Sequence, residues 1–250
     1  MSRIGIIIQA RMDSTRLPGK MILPFYKELT LLDVVLKKIE GFSAIYPIIL
    51  ATSNHQKDDI IASYANKYNI ICYRGDELDV LKRFIIGAEK NDIDTVVRVC
   101  ADNPFLSSKL ITELLTAYKE NKFDYISYQN SEGIPTIRTH YGFFAELVKL
   151  SALKKVSELT EENFYHEHVT NFIYTNWDLF KIKLLKIPFE ENNKVRLTID
   201  TQEDFNLAKK IYSDLMNTKL NVEPETVMNY LSKNSNYLDL MNQQIKLQTK

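Results

Sequence analysis

Cysteine is almost absent from this chain. Its 250 residues include two, Cys72 and Cys100, far apart and outside any CxxC pair. That argues against a disulfide framework and against a cysteine zinc site, and it makes a reducing compartment the default. Net charge is absent too: 32 Lys and Arg balance 32 Asp and Glu. Broad binding to nucleic acid needs a basic excess, so no nucleic-acid partner is expected, although a local basic site for one nucleotide remains open. Long apolar runs are also missing. Ile4 to Ile8 is followed at once by Gln9 and Arg11, too short for a signal-peptide core and far too short to span a bilayer. The expectation is a cytoplasmic protein without membrane insertion. No Gly- or Ser-rich linker, internal repeat or low-complexity block interrupts the chain. With 45% hydrophobic and 26% charged residues, the length suits one large α/β domain or two small ones around a real core.

Short β-forming runs alternate with helical spacing through the first half. Strands are expected at Ile4–Ile8, Pro47–Ala51, Asn69–Tyr73, Asp94–Val99 and Asp124–Tyr128. Helices are expected at Leu31–Ile39, Asp58–Tyr68, Val80–Lys90 and Ser107–Asn121. This alternation implies a mostly parallel sheet flanked by helices, a Rossmann-like α/β fold. The pattern weakens from about Gly133 to Lys194, where Pro135, the aromatic run Tyr141–Phe144 and Asp178–Ile187 suggest a mixed, antiparallel excursion. Arg196–Ile199 reads as a further strand and Glu203–Met216 as a strong amphipathic helix, and helical spacing resumes at Val227, Tyr230 and Leu231.

The strongest chemical signal is the loop Gln9 to Lys20, which reads QARMDSTRLPGK. In open α/β sheets, ligands bind at the carboxyl ends of strands, and this loop leaves the first strand there. It combines Arg11, Arg16 and Lys20 with the hydroxyls of Ser14 and Thr15 and a Pro-Gly turn. Arginine forks and lysine point charges suit phosphate oxygens, and a tight loop can form a nest of backbone N–H groups. A single surface arginine would read as solvated loop; three cations directly after a buried strand favour an anion site. The loop is neither a Walker loop nor a dinucleotide fingerprint, since GxxxxGK[ST] and GxGxxG are both absent.

Two carboxylates stand at strand ends, Asp102 in RVCADNP and Asp200 in RLTIDT. Magnesium takes few protein carboxylates and completes its shell with phosphate oxygens and water, so Asp102 and Asp200 near a triphosphate would suffice. Each also has a plainer reading as a turn former or helix cap, Asp200 for the helix that follows. Thr52 and Ser53 follow the second strand, and Arg74 and Gly75 the third, as polar loops on the same edge where a pyrimidine could be read. Further polar clusters hold Arg138 and His140, and Glu167 and His168. Zinc at His166 and His168 is disfavoured, because no third ligand and no HExxH spacing is present.

QARMDSTRLPGK resembles the signature loop of the cytidylyltransferases that activate sugar acids, a family including CMP-acylneuraminate and CMP-Kdo synthetases. Its wording is most similar to the spore-coat-polysaccharide cytidylyltransferase-like group, and the resemblance runs from Ile4 to about Leu215. It implies a glycosyltransferase-A-like fold, often a homodimer. The implied reaction transfers CMP from CTP to a sugar-acid acceptor and releases pyrophosphate. Arg11 and Lys20 would hold the triphosphate, supported by Ser14 and Arg16, with Ala10 and Arg98 completing the substrate contacts. RVCADNP and LTIDTQEDF are similar to the family's two magnesium-binding segments, which assigns the metal to Asp102 and Asp200. The family reads cytosine near Thr52, Ser53, Arg74 and Gly75, but its Ser-Gly-Thr-Glu-Arg wording is replaced here by Tyr73-Arg74-Gly75-Asp76-Glu77. Arg138, His140, Glu167 and His168 fall in its acceptor region, where a dimer contact is the competing reading. The whole chain, 1–250, is then one nucleotidyltransferase domain, with an acceptor or dimerisation excursion over about 133–194 and a helical tail over about 220–250. Two other readings stand beside this one. A glycosyltransferase using a nucleotide-sugar would normally show a DxD motif, and Asp102-Asn103-Pro104 lacks the second Asp. The other is a nucleotide-binding subunit that has lost activity.

Overall fold

The computed structural model describes residues 3–119 and 122–247. The first half is built from β1 (Ile4–Gln9), β2 (Pro24–Tyr26), β3 (Leu29–Thr30), α1 (Leu31–Ile39), β4 (Ile48–Ser53), α2 (Asp59–Lys67), β5 (Ile71–Gly75), α3 (Val80–Glu89), β6 (Thr95–Cys100), α4 (Ser108–Ala117) and β7 (Tyr125–Gln129). The second half adds β8 (Glu146–Lys149), α5 (Leu150–Leu159), α6 (Asn163–Glu167), α7 (Asn171–Thr175), β9 (Ile182–Lys186), α8 (Gln202–Asn217), α9 (Pro224–Ser232) and α10 (Ser235–Leu247). Glu120 and Asn121, at the end of the helix expected over Ser107–Asn121, lie outside the described residues.

A seven-stranded sheet runs in the order β5-β4-β1-β6-β8-β7-β9. Its neighbours pair in parallel except at β8, which is antiparallel to both β6 and β7. The mostly parallel sheet with a mixed portion therefore agrees with the sequence. Strand alternation divides the core between two faces. Ile6 and Ile8 of β1, Ile48 and Leu50 of β4, and Val97 and Val99 of β6 join the larger cluster under α1, α4, α8, α9 and α10. Ile7, Ile49, Ala51 and Val96 point the other way, into the cluster under α3, α5 and α7. Because both faces are covered, these strands read as continuous apolar runs rather than as alternating ones.

The chain passes outward from β1 through β4 to β5, then returns to place β6 on the other side of β1. This reversal makes a topological switch point at the β1–β6 pair, where a crevice opens beyond the carboxyl ends of the strands. Gln9 pairs in register with Cys100 there, so the basic loop and the segment leading to Asp102 emerge side by side.

One expected strand does not join the sheet, and the mixed stretch from about Gly133 to Lys194 divides into irregular, strand and helical parts. Arg196–Ile199 is not a ladder strand. Its backbone divides its hydrogen bonds, with Leu197 N and Thr198 N donating to His140 O at 2.7 and 3.3 Å and Ile199 N to Asp102 O at 3.3 Å. Leu197 and Ile199 are buried, but no strand among the described residues pairs with this segment. Tyr141–Phe144 is irregular and packs its rings against Phe189. Gly142 (φ +69°) passes Leu197 so closely that a Cβ there would meet the Leu197 backbone at 3.1 Å, which explains a glycine amid bulky aromatics. Helix α5 follows β8 directly, inside the stretch where the sequence pattern weakens.

Candidate active site

A cleft of about 900 Å³ opens at the switch point. It is bordered by the basic loop, the start of α3, the segment after β6, Asp200, and parts of residues 134–144 and 164–175. Ala10, Arg11, Ser14, Arg16, Lys20, Arg98, Asp102, Arg138, Glu167, His168 and Asp200 all border it.

The basic loop is braced from several sides. Asp58, buried at the start of α2, accepts from Met12 N at 2.7 Å, and its other oxygen accepts from the N–H and hydroxyl of Ser53. Gly19 (φ +71°) returns its N–H to Met12 O at 2.9 Å, which closes the turn that presents Lys20. Ser14 Oγ accepts from Leu17 N at 3.4 Å. Arg11 reaches outward to Glu167 Oε1 at 2.8 Å and to the Glu77 carbonyl at 3.4 Å. Arg16 pairs with Asp200 at 3.1 Å. Lys20 donates to Asp102 at 3.0 Å and to the carbonyl of Ile199 at 2.5 Å. The loop's cations are thus matched one by one with carboxylates, an arrangement in which phosphate oxygens can take the carboxylates' places.

Behind Asp200 lies a buried support. Arg196 donates to both oxygens of Asp204 at 2.7 and 2.8 Å and to Asp200 Oδ2 at 2.9 Å. Asp204 also accepts from the N–H groups of Asp200 and Thr201, each at 3.0 Å. Burial works against the Asp204 charge, but Arg196 and these N–H groups outweigh it and hold the carboxyl below its usual range. Thr201 and Asp204 form the capping box of α8, and Ser107 caps α4. Neither Asp102 nor Asp200 serves as those helices' cap, so both side chains are left to border the cleft.

The floor is a fixed polar network. Arg98 and Glu146 are register partners across β6 and β8, and the guanidinium is bonded to that carboxylate. Glu146 also accepts from Tyr125 and, at 2.8 Å, from Thr170, while Arg98 donates to Gln9 Oε1 at 2.9 Å. Although burial opposes its charge, the surrounding anions keep Arg98 protonated above its usual value. Arg98 is thus engaged within the protein, orienting Gln9 at the head of the basic loop.

Five candidates do not border the cleft: Thr52, Ser53, Arg74, Gly75 and His140. Ser53 serves Asp58. Arg74 donates to the carbonyls of Ser53 and His55, each at 2.9 Å, and pairs with Asp59 at 2.6 Å. His140 bonds Arg196 through Nδ1 at 2.7 Å and braces the wall from behind. The cleft also contains residues that the sequence reading did not single out. Arg83, Asn103, Thr136 and Thr198 all border it, and each has buried polar side-chain atoms with no hydrogen-bond partner among the described residues. Arg83 did leave a signal. It falls on the apolar stripe Val80, Phe84, Gly87 and Ala88 of α3, where a charge is out of place.

Among the described residues, no three His, Cys, Asp or Glu side chains are grouped to hold a metal ion by themselves. Two carboxylates beside the basic loop remain, a donor set that fits magnesium, which takes much of its shell from substrate and water. No helix among these residues is long and apolar enough to cross a membrane.

A nucleotide-handling α/β fold with this site has known relatives. The family model for cytidylyltransferases matches residues 5–241. The spore coat polysaccharide biosynthesis protein SpsF of Bacillus subtilis is 33% identical over 219 residues, covering 85% of this chain and 87% of SpsF. An uncharacterized protein of Methanocaldococcus jannaschii is 33% identical over 237 residues, 94% of this chain and 92% of that protein. Among solved structures, a cytidylyltransferase from Leptospira borgpetersenii superposes with a TM-score of 0.81 at 26% identity, covering 95% of this chain and 97% of that one. A CMP-2-keto-3-deoxy-manno-octonic acid synthetase solved with CTP shares the fold, with a TM-score of 0.63 at 16% identity over 88% of this chain and 100% of that one. The chain belongs to the cytidylyltransferase family and is a nucleotidyltransferase.

Proposed function

We propose that the enzyme transfers CMP from CTP to a sugar-acid-type acceptor, releasing pyrophosphate, in the synthesis of a surface polysaccharide or glycoconjugate precursor. The observation that carries this reading is the meeting of Arg11, Arg16 and Lys20 with Asp102 and Asp200 in one cleft. Family membership and the likeness to SpsF support it. An acceptor oxygen attacks the α-phosphorus, the bond to the β-phosphate oxygen breaks, and pyrophosphate leaves. The chain contributes position and charge neutralisation. Lys20 places a desolvated charge at the centre, and Arg11 and Arg16 exchange Glu167 and Asp200 for phosphate oxygens. Asp102 and Asp200 would hold magnesium, which when bound supplies Lewis-acid polarisation of the phosphates. Residues 134–144 and 164–175 form the acceptor end, where Arg138 offers a cation to a carboxylate and His168, packed on Phe164, lines the wall. The chain acts as one domain over 1–250, with the 133–194 excursion serving the acceptor or a homodimer contact and a helical tail over 220–250. Its place is the cytoplasm, where nucleoside triphosphates are made.

The test is a screen of the four nucleoside triphosphates against sugar-acid acceptors with magnesium. Pyrophosphate release from CTP that depends on the acceptor is the expected result. Release of a nucleoside diphosphate from a nucleotide-sugar would instead identify a glycosyltransferase, and no turnover with any acceptor would favour a binding subunit.

A further inference from the structure

Arg83 is 2% exposed and borders the cleft, yet its Nε and Nη1 atoms have no hydrogen-bond partner among the described residues. Buried donors left unmade destabilise the fold, and a buried unpaired guanidinium does so more strongly. Burial pulls its pKa down, the like charge of Arg11 adds to that, and Asp58, Asp76 and Glu77 oppose it only in part. The fold makes room for this side chain on purpose. A Cβ on Gly75 would meet the Arg83 Cγ at 3.3 Å and the Tyr73 ring at 3.2 Å, so the glycine at the end of β5 leaves space for the arginine stem.

The unmet donors call for an acceptor from a ligand, and the surroundings indicate its charge. Phosphate already has Arg11, Arg16 and Lys20 along the loop. Around Arg83, Asp58, Asp76 and Glu77 oppose the like charge of Arg11, a balanced setting that suits a neutral carbonyl. Val80, one turn earlier on α3, adds apolar surface at the same end of the cleft.

We propose that Arg83 reads the nucleobase, donating to the O2 and N3 acceptor edge of cytosine and so selecting CTP over UTP. Uracil carries an N3–H donor at that edge, which faces the guanidinium donor to donor and loses the bond. Arg74, to which the sequence reading gave this task, is occupied by Ser53, His55 and Asp59. The inference rests on the reading of the cleft as a nucleoside triphosphate site.

The test compares Arg83→Met and Arg83→Lys with the wild type. Affinities for CTP, UTP and inorganic tripolyphosphate are measured by calorimetry with magnesium, together with thermal stability. In Arg83→Met, CTP binding should weaken about tenfold or more, equivalent to ~1.4 kcal/mol. The preference over UTP should nearly vanish, tripolyphosphate binding should hold, and the melting temperature should stay level or rise because an unpaired buried charge is gone. Arg83→Lys should keep the charge and recover only part of the preference. An unchanged CTP preference in Arg83→Met would overturn the proposal, and so would equal losses for CTP and tripolyphosphate. If Arg83→Met does not fold, an Arg83→Lys protein with the full wild-type preference would do the same. A wild type that binds no nucleoside triphosphate would overturn the reading of the cleft itself.

Discussion

Lys20 is 7% exposed and joins Asp102, 3.0 Å from its Nζ, to the backbone carbonyl of Ile199, the residue before Asp200. One lysine therefore ties together the basic loop, the turn after β6 and the segment entering α8. The bond from Ile199 N to Asp102 O reinforces the same junction.

Replacing Lys20 by Ala should weaken CTP binding about tenfold or more, ~1.4 kcal/mol, because a desolvated cation is lost from the proposed phosphate site. Calorimetry with magnesium and CTP measures it. Wild-type affinity in a folded Lys20→Ala protein would remove the loop from the site.

Asp102→Asn and Asp200→Asn should each cut turnover by about a hundredfold or more, ~2.7 kcal/mol at the transition state, in protein that is still folded at the assay temperature even though Lys20 or Arg196 then faces a neutral partner. Both substitutions keep the side-chain shape, and the helix caps belong to Ser107 and to Thr201 with Asp204. A loss of stability without loss of turnover would return both residues to a structural role.

Asp204→Asn should act the other way and cost about 3 kcal/mol of stability, since it takes away the carboxylate that holds two bonds of the buried Arg196 and leaves Asp200 as the charged partner beside it. Burial opposes the Asp204 charge, but Arg196 prevails and keeps the carboxyl below its usual range. The stability it provides is therefore present above the unfolded value near pH 4 and is lost as pH falls through the lower folded value. Chemical denaturation from pH 7 down to pH 3 should show the gap between wild type and variant narrowing; a constant gap would count against the pair.

His166 gives an opposite dependence. Its Nδ1 lies 2.9 Å from Asp79, the N-cap of α3, and thereby fastens α6 to α3. Burial disfavours its charge, but the Thr160 carbonyl and Asp79 outweigh burial and raise its pKa. Its contribution, up to about 1 kcal/mol, should be full below the unfolded value near pH 6.5 and lost as pH rises through the raised folded value. His166→Gln should thus lower the melting temperature by about 2–4 °C at pH 5.5 and by much less at pH 8.5. Equal shifts at both pH values would show that the pair does not titrate as described.

The sequence revealed more of the sheet than of the site's details. Leu31–Ile39 was legible as a helix to its ends because apolar spacing and the Thr30–Asp33 capping box agree. β1, β4 and β6 were legible because strands covered on both faces are uniformly apolar. Arg196–Ile199 carries the same composition, but its backbone partners are His140 and Asp102, contacts that composition does not encode. The cations and carboxylates of the cleft were visible as strand-end motifs. Whether a polar residue faces the cleft or the protein was not: Arg74 and Arg83 are both arginines near the end of β5, and only packing separates their surroundings. His166 lies within α6 and His168 at its C-cap, a difference of surroundings that their spacing in the sequence does not encode.

The most direct measurement is manganese anomalous scattering from crystals grown with CTP and Mn²⁺, manganese standing in for magnesium. The expected result is CTP in the cleft, its phosphates against Arg11, Arg16 and Lys20, and one anomalous peak bonded to both Asp102 and Asp200. A metal bound by neither aspartate, or CTP lying outside the cleft, would contradict it.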